Sequence, residues 1–286
     1  MSSNLFFEKP VSEIIKARRS VRTYDSRRLA AEIKEKLAEY LSGLKGPFNT
    51  SSRLKLLDSD IALKESNIKL GTYGMIRGAT TFAVAAVEKS PMDLEELGYL
   101  FEKLVLYATS LGLGTCWLGG SFKKSEFAKA MELGEKEMMP IVIPIGYPAD
   151  GKSFFDSIVR FAAGSNNRKA WEELFYGNSF ESGLRQTDAA AYTLPLEMVR
   201  LAPSASNKQP WRIVRDSNKF HFYLQHTKGY AKMVGYDIQR LDIGIAMCHF
   251  DLSARESGIS GSWQVQAPSS VKLPQECDYI VSWVED

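Results

Sequence analysis

One pattern occurs twice in the chain, and it limits the folds that the sequence can adopt. Leu97–Gly98, in a predicted helix, leads to the segment GLGTCW at 112–117, and Ile243–Gly244 leads to GISGSW at 258–263 at the same separation. Further matches in these helices are Leu106 with Leu252 and Ala108 with Ala254. A repeated helix followed by Gly-x-x-x-x-Trp predicts two diverged copies of one unit, residues 1–175 and 176–286.

Hydrophobic periodicity and turn residues predict an α+β chain. An amphipathic helix over 30–44, a GPFNTSS loop and a strand over Arg53–Leu57 have a counterpart in 194–214. We expect Ser12 to cap an N-terminal helix and Asp93 to cap a long helix that ends at Leu111–Gly112. The buried strands are predicted at Thr80–Val87, Ile141–Ile145 and Trp211–Val214.

The totals exclude several classes of protein. The chain has 286 residues with a net charge of +2, which gives no electrostatic footprint for nucleic acid. It has no apolar run near the ~20 residues that span a bilayer, and MSSNLFFEKP does not resemble a secretory signal. Three cysteines and three histidines, widely separated, argue against a disulfide framework or a metal site and favour a reducing, cytoplasmic setting.

The segment APSASNKQPW, Ala202 to Trp211, is small, polar and punctuated by proline, which predicts a loop between a helix and a strand. Its hydroxyl and amide side chains can donate and accept hydrogen bonds. Such a loop suits the recognition of a flat polar heterocycle better than the binding of a metal or the cleavage of a bond.

Three other segments each permit two interpretations. Arg18, Ser20 and Arg22 can hold a phosphate, because guanidinium groups match phosphate oxygens, but they also suit a solvated basic helix end, the commoner arrangement. The glycines of 112–120 can admit a ligand close to the backbone or form a helix C-cap and turn. Arg168, in the segment Asn166 to Trp171, fits an exposed helix start, while the family resemblance given next implies a basic residue that contacts a phosphate.

Together, ARRSVRTYD at 17–25, GLGTCWLGG at 112–120 and APSASNKQPW resemble the nitroreductase-like flavoproteins, and a fused two-copy subgroup is the most similar. The resemblance implies a mixed, largely antiparallel sheet flanked by helices, and FMN as the cofactor. It assigns the phosphate to the Arg-Arg-Ser segment and Arg168, the ring edge to backbone groups of the glycine-rich segment, and the opposite side to the Pro-Ser loop. The residues so implied are Arg18, Arg19, Ser20, Arg22, Leu118, Gly119, Gly120, Arg168, Pro203, Ser204, Ala205, Ser206 and Asn207.

The two halves are complementary in what each retains. The first has the Arg-Arg-Ser and glycine-rich segments but only GPFNTSS where the second has PSASNKQPW, and the second has GLRQTDAAAY in place of Arg-Arg-Ser. Members of the family are usually homodimers with the flavin at the interface. We therefore expect one flavin held between the two halves of a single chain, a monomer that acts as an intramolecular pseudo-dimer.

The resemblance implies a ping-pong cycle in which NAD(P)H reduces the flavin and a nitroaromatic, quinone or similar acceptor then takes the electrons. No catalytic acid–base residue is predicted. Tyr73 and Arg77, in the stretch 58–79, are candidates for the substrate pocket, and Cys116 is interpreted as a small core residue. The alternatives are a family enzyme with a different flavin reaction, or a flavin-binding or flavin-free member that has lost catalysis.

Overall fold

The computed structural model describes residues 7–149, 167–229, 235–269 and 271–286. It is a mixed α+β structure of two largely antiparallel sheets flanked by helices, as the resemblance implies. The helices are α1 Val11–Ala17, α2 Ala31–Ser42, α3 Ser59–Ser66, α4 Asp93–Ser110, α5 Lys124–Met131, α6 Trp171–Leu174, α7 Thr193–Leu201 and α8 Gln239–Glu256. The strands are β1 Ser52–Asp58, β2 Thr81–Glu88, β3 Gly114–Thr115, β4 Glu137–Met138, β5 Val142–Gly146, β6 Phe175–Gly177, β7 Trp211–Asp216, β8 Lys219–Gln225, β9 Gly261–Gln264 and β10 Cys277–Glu285.

The first sheet has the order β1-β2-β5-β3, with β4 paired to β2, and all its pairs are antiparallel. Its central strand β2 is the predicted run of small and β-branched residues, buried along Thr81–Val87 because both faces are covered. The second sheet has the order β6-β7-β8-β10-β9, and only the pair β6-β7 within it is parallel. Helices α4 and α8 lie between the sheets and pack closely on each other.

The repeated glycines lie at the contact between α4 and α8. A Cβ on Gly98 would stand 2.3 Å from the carbonyl oxygen of Leu241, and one on Gly244 would stand 2.0 Å from that of Glu95. Since both obstacles are backbone atoms, neither position has room for a larger residue. This close approach brings the first turns of the two helices together.

The two central helices also have the same length and end in the same way. Each has 18 residues, and a glycine with a left-handed φ follows each end, 76° at Gly112 and 77° at Gly258. The N–H of Leu113 then donates to the carbonyl of Ala108 at 2.9 Å, and that of Ile259 to Ala254 at 3.0 Å. Each helix therefore turns into its following strand, β3 or β9, through the same capping geometry.

Two predicted helix caps are wrong. Pro10, not Ser12, precedes α1, and Ser12 lies inside the helix, where its hydroxyl donates to Glu256 at 3.1 Å. Asp93 is the first residue of α4 and not its cap, and it accepts a hydrogen bond from the backbone N–H of Ser90 at 3.0 Å. In the part of the chain that the structure describes, no helix is long and apolar enough to cross a bilayer.

Candidate functional site

A cavity of about 410 Å³ lies between the N-terminal segment, the loop after α7 and the first turns of α8. It combines residues from both ends of the sequence, and it includes every predicted site residue except Leu118 and Gly120. Its lining residues are Arg18, Arg19, Ser20, Arg22, Trp117, Gly119, Ile141, Arg168, Leu201, Pro203, Ser204, Ala205, Ser206, Asn207, Ile238, Leu241, Asp242 and Ile245.

The segment that follows α1 forms the basic wall. The helix ends at Arg18, whose backbone is extended, and the N–H of Val21 donates to the carbonyl of Thr115 at 2.8 Å. This bond ties the segment to the glycine-rich segment. Arg18 Nε and Arg22 Nη1 are buried without a hydrogen-bond partner among the described residues. Two guanidinium groups with unused donors therefore border the cavity, which favours an anionic ligand there.

Arg168 lies on the same wall and also holds the opposite loop. Its guanidinium donates to the carbonyl oxygens of Ala202 at 3.1 Å and Leu201 at 3.0 Å, and to Asn207 Oδ1 at 2.8 Å. Burial, and after it the charges of Arg18 and Arg200, lower the pKa of Arg168 to about 10. The pKa is lowered because several positive charges lie close together away from water. A bound anion would reduce the repulsion between them.

The loop 202–210 contains a 3₁₀ turn and left-handed residues. Ser206, Asn207 and Gln209 have φ of 48°, 54° and 48°. Ser204 Oγ accepts from the N–H of Gln209 at 2.9 Å, and Asn207 Nδ2 donates to the carbonyl of Asn167 at 2.7 Å. The oxygen and the nitrogen of the Asn207 amide therefore both make hydrogen bonds within the protein, and these bonds hold the loop in its conformation.

Asp242, in the first turn of α8, was missed by the sequence reasoning. Its Oδ1 accepts from the backbone N–H of Ala205 at 2.9 Å, and its Oδ2 is buried with no hydrogen-bond partner in the described chain. Burial raises its pKa well above the ordinary value, although the Ala205 N–H acts in the opposite direction. The internal repeat offered a signal, because Asp242 matches Glu96, which stands two residues before Gly98.

The glycine-rich segment contributes less than expected. Leu118 exchanges two backbone hydrogen bonds of 3.1 Å with Val142, so its N–H and C=O are not available to a ligand. Gly119 lines the cavity, and a Cβ there would stand 2.0 Å from Ile238 Cδ1. Gly120 is exposed outside the cavity. The backbone groups of Leu118 are therefore occupied by pairing with β5, and the flavin contacts expected of Gly119 and Gly120 stay predictions.

Trp117 and Ile141 form the apolar floor of the cavity, and a buried polar cluster lies behind it. The indole Nε1 of Trp117, a floor residue, donates to Glu102 Oε2 at 3.0 Å. Glu102 Oε1 lies 2.9 Å from His249 Nε2 and 4.0 Å from Arg18 Nε. Glu102 and His249 are both fully buried. Nothing in the sequence pattern indicated this cluster, because Arg18, Glu102 and His249 lie on separate segments far apart along the chain.

The remaining candidates lie elsewhere. Tyr73 is 67% exposed, and neither Tyr73 nor Arg77 lines the cavity, so their role in the substrate pocket stays a prediction. Cys116 is 2% exposed in an apolar cluster, which confirms its interpretation as a core residue. Asn166, at the start of the predicted basic return, lies outside the described residues.

Known proteins resemble this chain over most of its length. The model of a family described as "Putative TM nitroreductase" matches residues 10–254. An Archaeoglobus fulgidus protein named "Putative NADH dehydrogenase/NAD(P)H nitroreductase" is 29% identical over 172 residues, 56% of this chain and 97% of that protein. The crystal structure of a "putative nitroreductase" from Thermotoga maritima MSB8 has a TM-score of 0.61 at 19% identity and covers 99% of both chains, a likeness of fold. A Bacteroides fragilis NCTC 9343 nitroreductase with bound FMN is 22% identical over 51% of this chain and 92% of its own, with a TM-score of 0.42.

Proposed function

The chain belongs to the family described as "Putative TM nitroreductase", and from this premise we propose that it is an FMN-dependent oxidoreductase. It would pass electrons from NADH or NADPH to a nitroaromatic, a quinone or a similar acceptor in a ping-pong cycle. The observation that carries the proposal is the cavity, in which the Arg-Arg-Ser segment, Arg168 and the 203–207 loop meet.

The residues of the cavity fit FMN. Its volume, about 410 Å³, lies within the ~300–1,000 Å³ of small-molecule pockets. The unused buried donors of Arg18 and Arg22 match a phosphate, and Arg168 adds a third guanidinium. The apolar floor of Trp117 and Ile141, with the polar loop opposite, suits a flat ring with polar edges. When bound, FMN would supply the electron-accepting and electron-donating ring system, and the protein would orient it.

The chain's own residues would bind and orient FMN and would exclude water from it. The arginines neutralise the phosphate, and the 3₁₀ loop, held by Arg168 and Asn207, covers the side opposite the glycine-rich segment. Asp242 carries its proton to higher pH than an exposed aspartate, because burial raises its pKa. Among the described residues of the lining it is the only carboxyl, and it can present a hydrogen-bond donor at its oxygen. No acid–base pair is assigned.

We also propose that residues 1–175 and 176–286 are two diverged copies that share one site, so that a single chain suffices as a pseudo-dimer. The equal lengths and matching ends of α4 and α8, and the contact of Gly98 with Gly244, support this proposal. The lining residues of the cavity come from both copies.

The first test is the visible absorption spectrum of the purified protein, with the released flavin counted per chain. We expect one FMN per chain, and oxidation of NADH or NADPH by nitro and quinone acceptors. Two flavins per chain would contradict the shared site. No flavin after addition of FMN would favour the flavin-free alternative, and bound FMN without NAD(P)H oxidation would favour a different flavin reaction.

The second test places one variant in each half. Arg18→Ala removes a guanidinium from the basic wall, and Asn207→Ala removes the amide that joins the loop to Arg168. Losing a charged contact costs about 1.5–3 kcal/mol, so we expect the Kd for FMN to rise at least about tenfold for Arg18→Ala and less for Asn207→Ala. Undiminished affinity in both variants, measured by flavin fluorescence titration, would refute the shared site.

A further inference from the structure

The cluster behind the cavity floor contains a histidine whose protonation can be deduced from its partners. His249 Nδ1 lies 2.8 Å from the carbonyl oxygen of Met198. A carbonyl oxygen only accepts, so Nδ1 must carry a hydrogen. On the other side of the ring, Nε2 lies 2.9 Å from Glu102 Oε1. Because His249 and Glu102 are both fully buried, two unshared lone pairs facing each other would be strongly unfavourable, and one proton must lie between these atoms.

That proton leaves the pair without net charge wherever it resides. If it is on Nε2, an imidazolium faces a carboxylate, and if it is on the oxygen, a neutral imidazole faces a carboxylic acid. Cys248 adds no charge nearby, because burial raises the pKa of its thiol well above the ordinary value. The charge of Arg18, whose Nε stands 4.0 Å from Glu102 Oε1, is therefore not cancelled by the cluster beneath it.

We propose that His249 is a positioning residue which, by sharing one proton with Glu102, keeps that carboxylate from neutralising Arg18 and so preserves the positive charge that the cavity offers to a phosphate group. Glu102 meanwhile accepts the hydrogen bond of Trp117 with its other oxygen, Oε2, which an amide oxygen at this position could also accept. The inference rests on the proposed function in taking the phosphate of FMN as the anion.

The proximity of the arginines agrees with this assignment. Arg18 is the second cause, after burial, that lowers the pKa of Arg168. A buried ion pair between Arg18 and Glu102 alone would remove much of the attraction for an anion, since such pairs interact strongly away from water. A histidine that contacts no ligand would thus determine how tightly a ligand with a phosphate binds.

The test compares three variants, His249→Gln, Glu102→Gln and the double variant, by the Kd for FMN and for riboflavin, which lacks the phosphate. His249→Gln leaves the Glu102 charge unbalanced, and we expect the Kd for FMN to rise on the order of tenfold while that for riboflavin changes less than about twofold. Glu102→Gln keeps the cluster neutral and should hold the FMN affinity near that of the wild type. The double variant should restore the affinity that His249→Gln loses.

The controls separate a structural role from the proposed one. His221→Gln alters another buried histidine, which contacts Ser282 and does not line the cavity, and it should leave both affinities unchanged. Loss of stability in urea is expected for any buried histidine and is therefore not the readout. The ratio of the Kd for FMN to the Kd for riboflavin changes only if charge is involved. Equal effects on FMN and riboflavin, or no recovery in the double variant, would overturn the inference.

Inorganic phosphate provides an arm that does not depend on the flavin. We expect phosphate to stabilise the wild type against urea more than it stabilises His249→Gln. If the wild type bound no FMN but kept this difference, the proposed function would fail and the charge assignment would stand. If phosphate stabilised neither protein, or both equally, the charge assignment would fail.

Discussion

Two carboxylates at matching positions of the central helices hold their loops in different ways. Glu96, on α4, accepts from the backbone N–H groups of Phe48 at 2.8 Å and Asn49 at 3.1 Å, one with each oxygen. Asp242, on α8, accepts from Ala205 at 2.9 Å with one oxygen only. The shorter side chain secures its loop with a single bond, and the other oxygen has no partner among the described residues.

The surroundings of the two loops differ just as clearly. Beside Glu96, Gly46 lies so close that a Cβ there would stand 2.4 Å from the carboxyl carbon. Beside Asp242, the loop borders a cavity whose lining includes Arg18, Arg19, Arg22 and Arg168. Glu96 also lines a cavity, of about 440 Å³, but the described residues of that lining include one lysine, Lys45, and no arginine. Both helix positions therefore border a cavity, and arginines gather only in the one beside Asp242. This difference indicates why one site, and not two, is expected in the chain.

The largest effect is expected from disrupting the close contact between α4 and α8 at Gly98 and Gly244. Gly244→Ala and Gly98→Ala would place a Cβ 2.0 Å and 2.3 Å from backbone oxygens, so the helices must separate. We expect each to lower the free energy of unfolding by about 3 kcal/mol, measured by urea denaturation. Gly43→Ala, where the nearest atom would be 3.6 Å from the new Cβ, is the control and should change stability little. Similar losses in all three would contradict the close-contact explanation.

The next largest effect is expected for Arg168, which lies on the basic wall and holds the 202–210 loop. Arg168→Ala removes three hydrogen bonds to the loop and one of the cavity's charges. We expect the Kd for FMN to rise by a factor that corresponds to about 2–3 kcal/mol, together with a lower unfolding free energy. Arg185→Ala removes an exposed guanidinium paired with Asp188 and should do neither. An Arg168→Ala protein with wild-type affinity would show that the cavity is not the flavin site.

The pH dependence of stability should distinguish the two carboxylates. Burial raises the folded-state pKa of Asp242 well above the ordinary 3.8, so its contribution to stability is fully present below that value and is lost as pH rises toward the folded pKa. Asp242→Asn should therefore gain stability relative to the wild type as pH rises above 3.8, by about 1.4 kcal/mol for each unit of the raised pKa.

Glu96→Gln is the matched comparison in that experiment. Burial also raises the pKa of Glu96, but the N–H groups of Phe48, Asn49 and Thr50 oppose the shift, so the change with pH should be smaller. Urea denaturation curves between pH 4 and 8 measure both variants. A flat difference between Asp242→Asn and the wild type would mean that Asp242 is ionised throughout that range.

The smallest effect is expected at the segment once assigned to the substrate pocket. Tyr73 is 67% exposed and is not among the lining residues of the cavity, so Tyr73→Ser should change the unfolding free energy by less than about 0.5 kcal/mol. The Kd for FMN and the oxidation of NAD(P)H should also be unchanged. A clear change in the electron acceptors that this variant uses would show that the stretch 58–79 contributes to the substrate pocket.

Much of the site was predictable because its signals are local. The Arg-Arg-Ser segment, Arg168 and the 203–207 loop were identified from short motifs, and the structure brings them into one cavity. The pairing of Leu118 with Val142 could not be predicted, because it depends on how β5 lies beside the segment. Asp242 was missed although its repeat partner Glu96 was visible, since a single acidic residue in a helix is a weak signal.

From the sequence alone, the end of α4 at Leu111–Gly112, the repeat of Gly98 and Gly244, and the family of the chain could be predicted. Turn residues, periodicity and motifs act over a few neighbouring residues, so they can be read without the fold. The packed fold was needed to show that Glu102 lies beside His249, Trp117 and Arg18, and that Arg168 donates hydrogen bonds to the opposite loop. Those partners are far apart in sequence, and the packing of α4 on α8 in a desolvated interior sets their charges and hydrogen bonds.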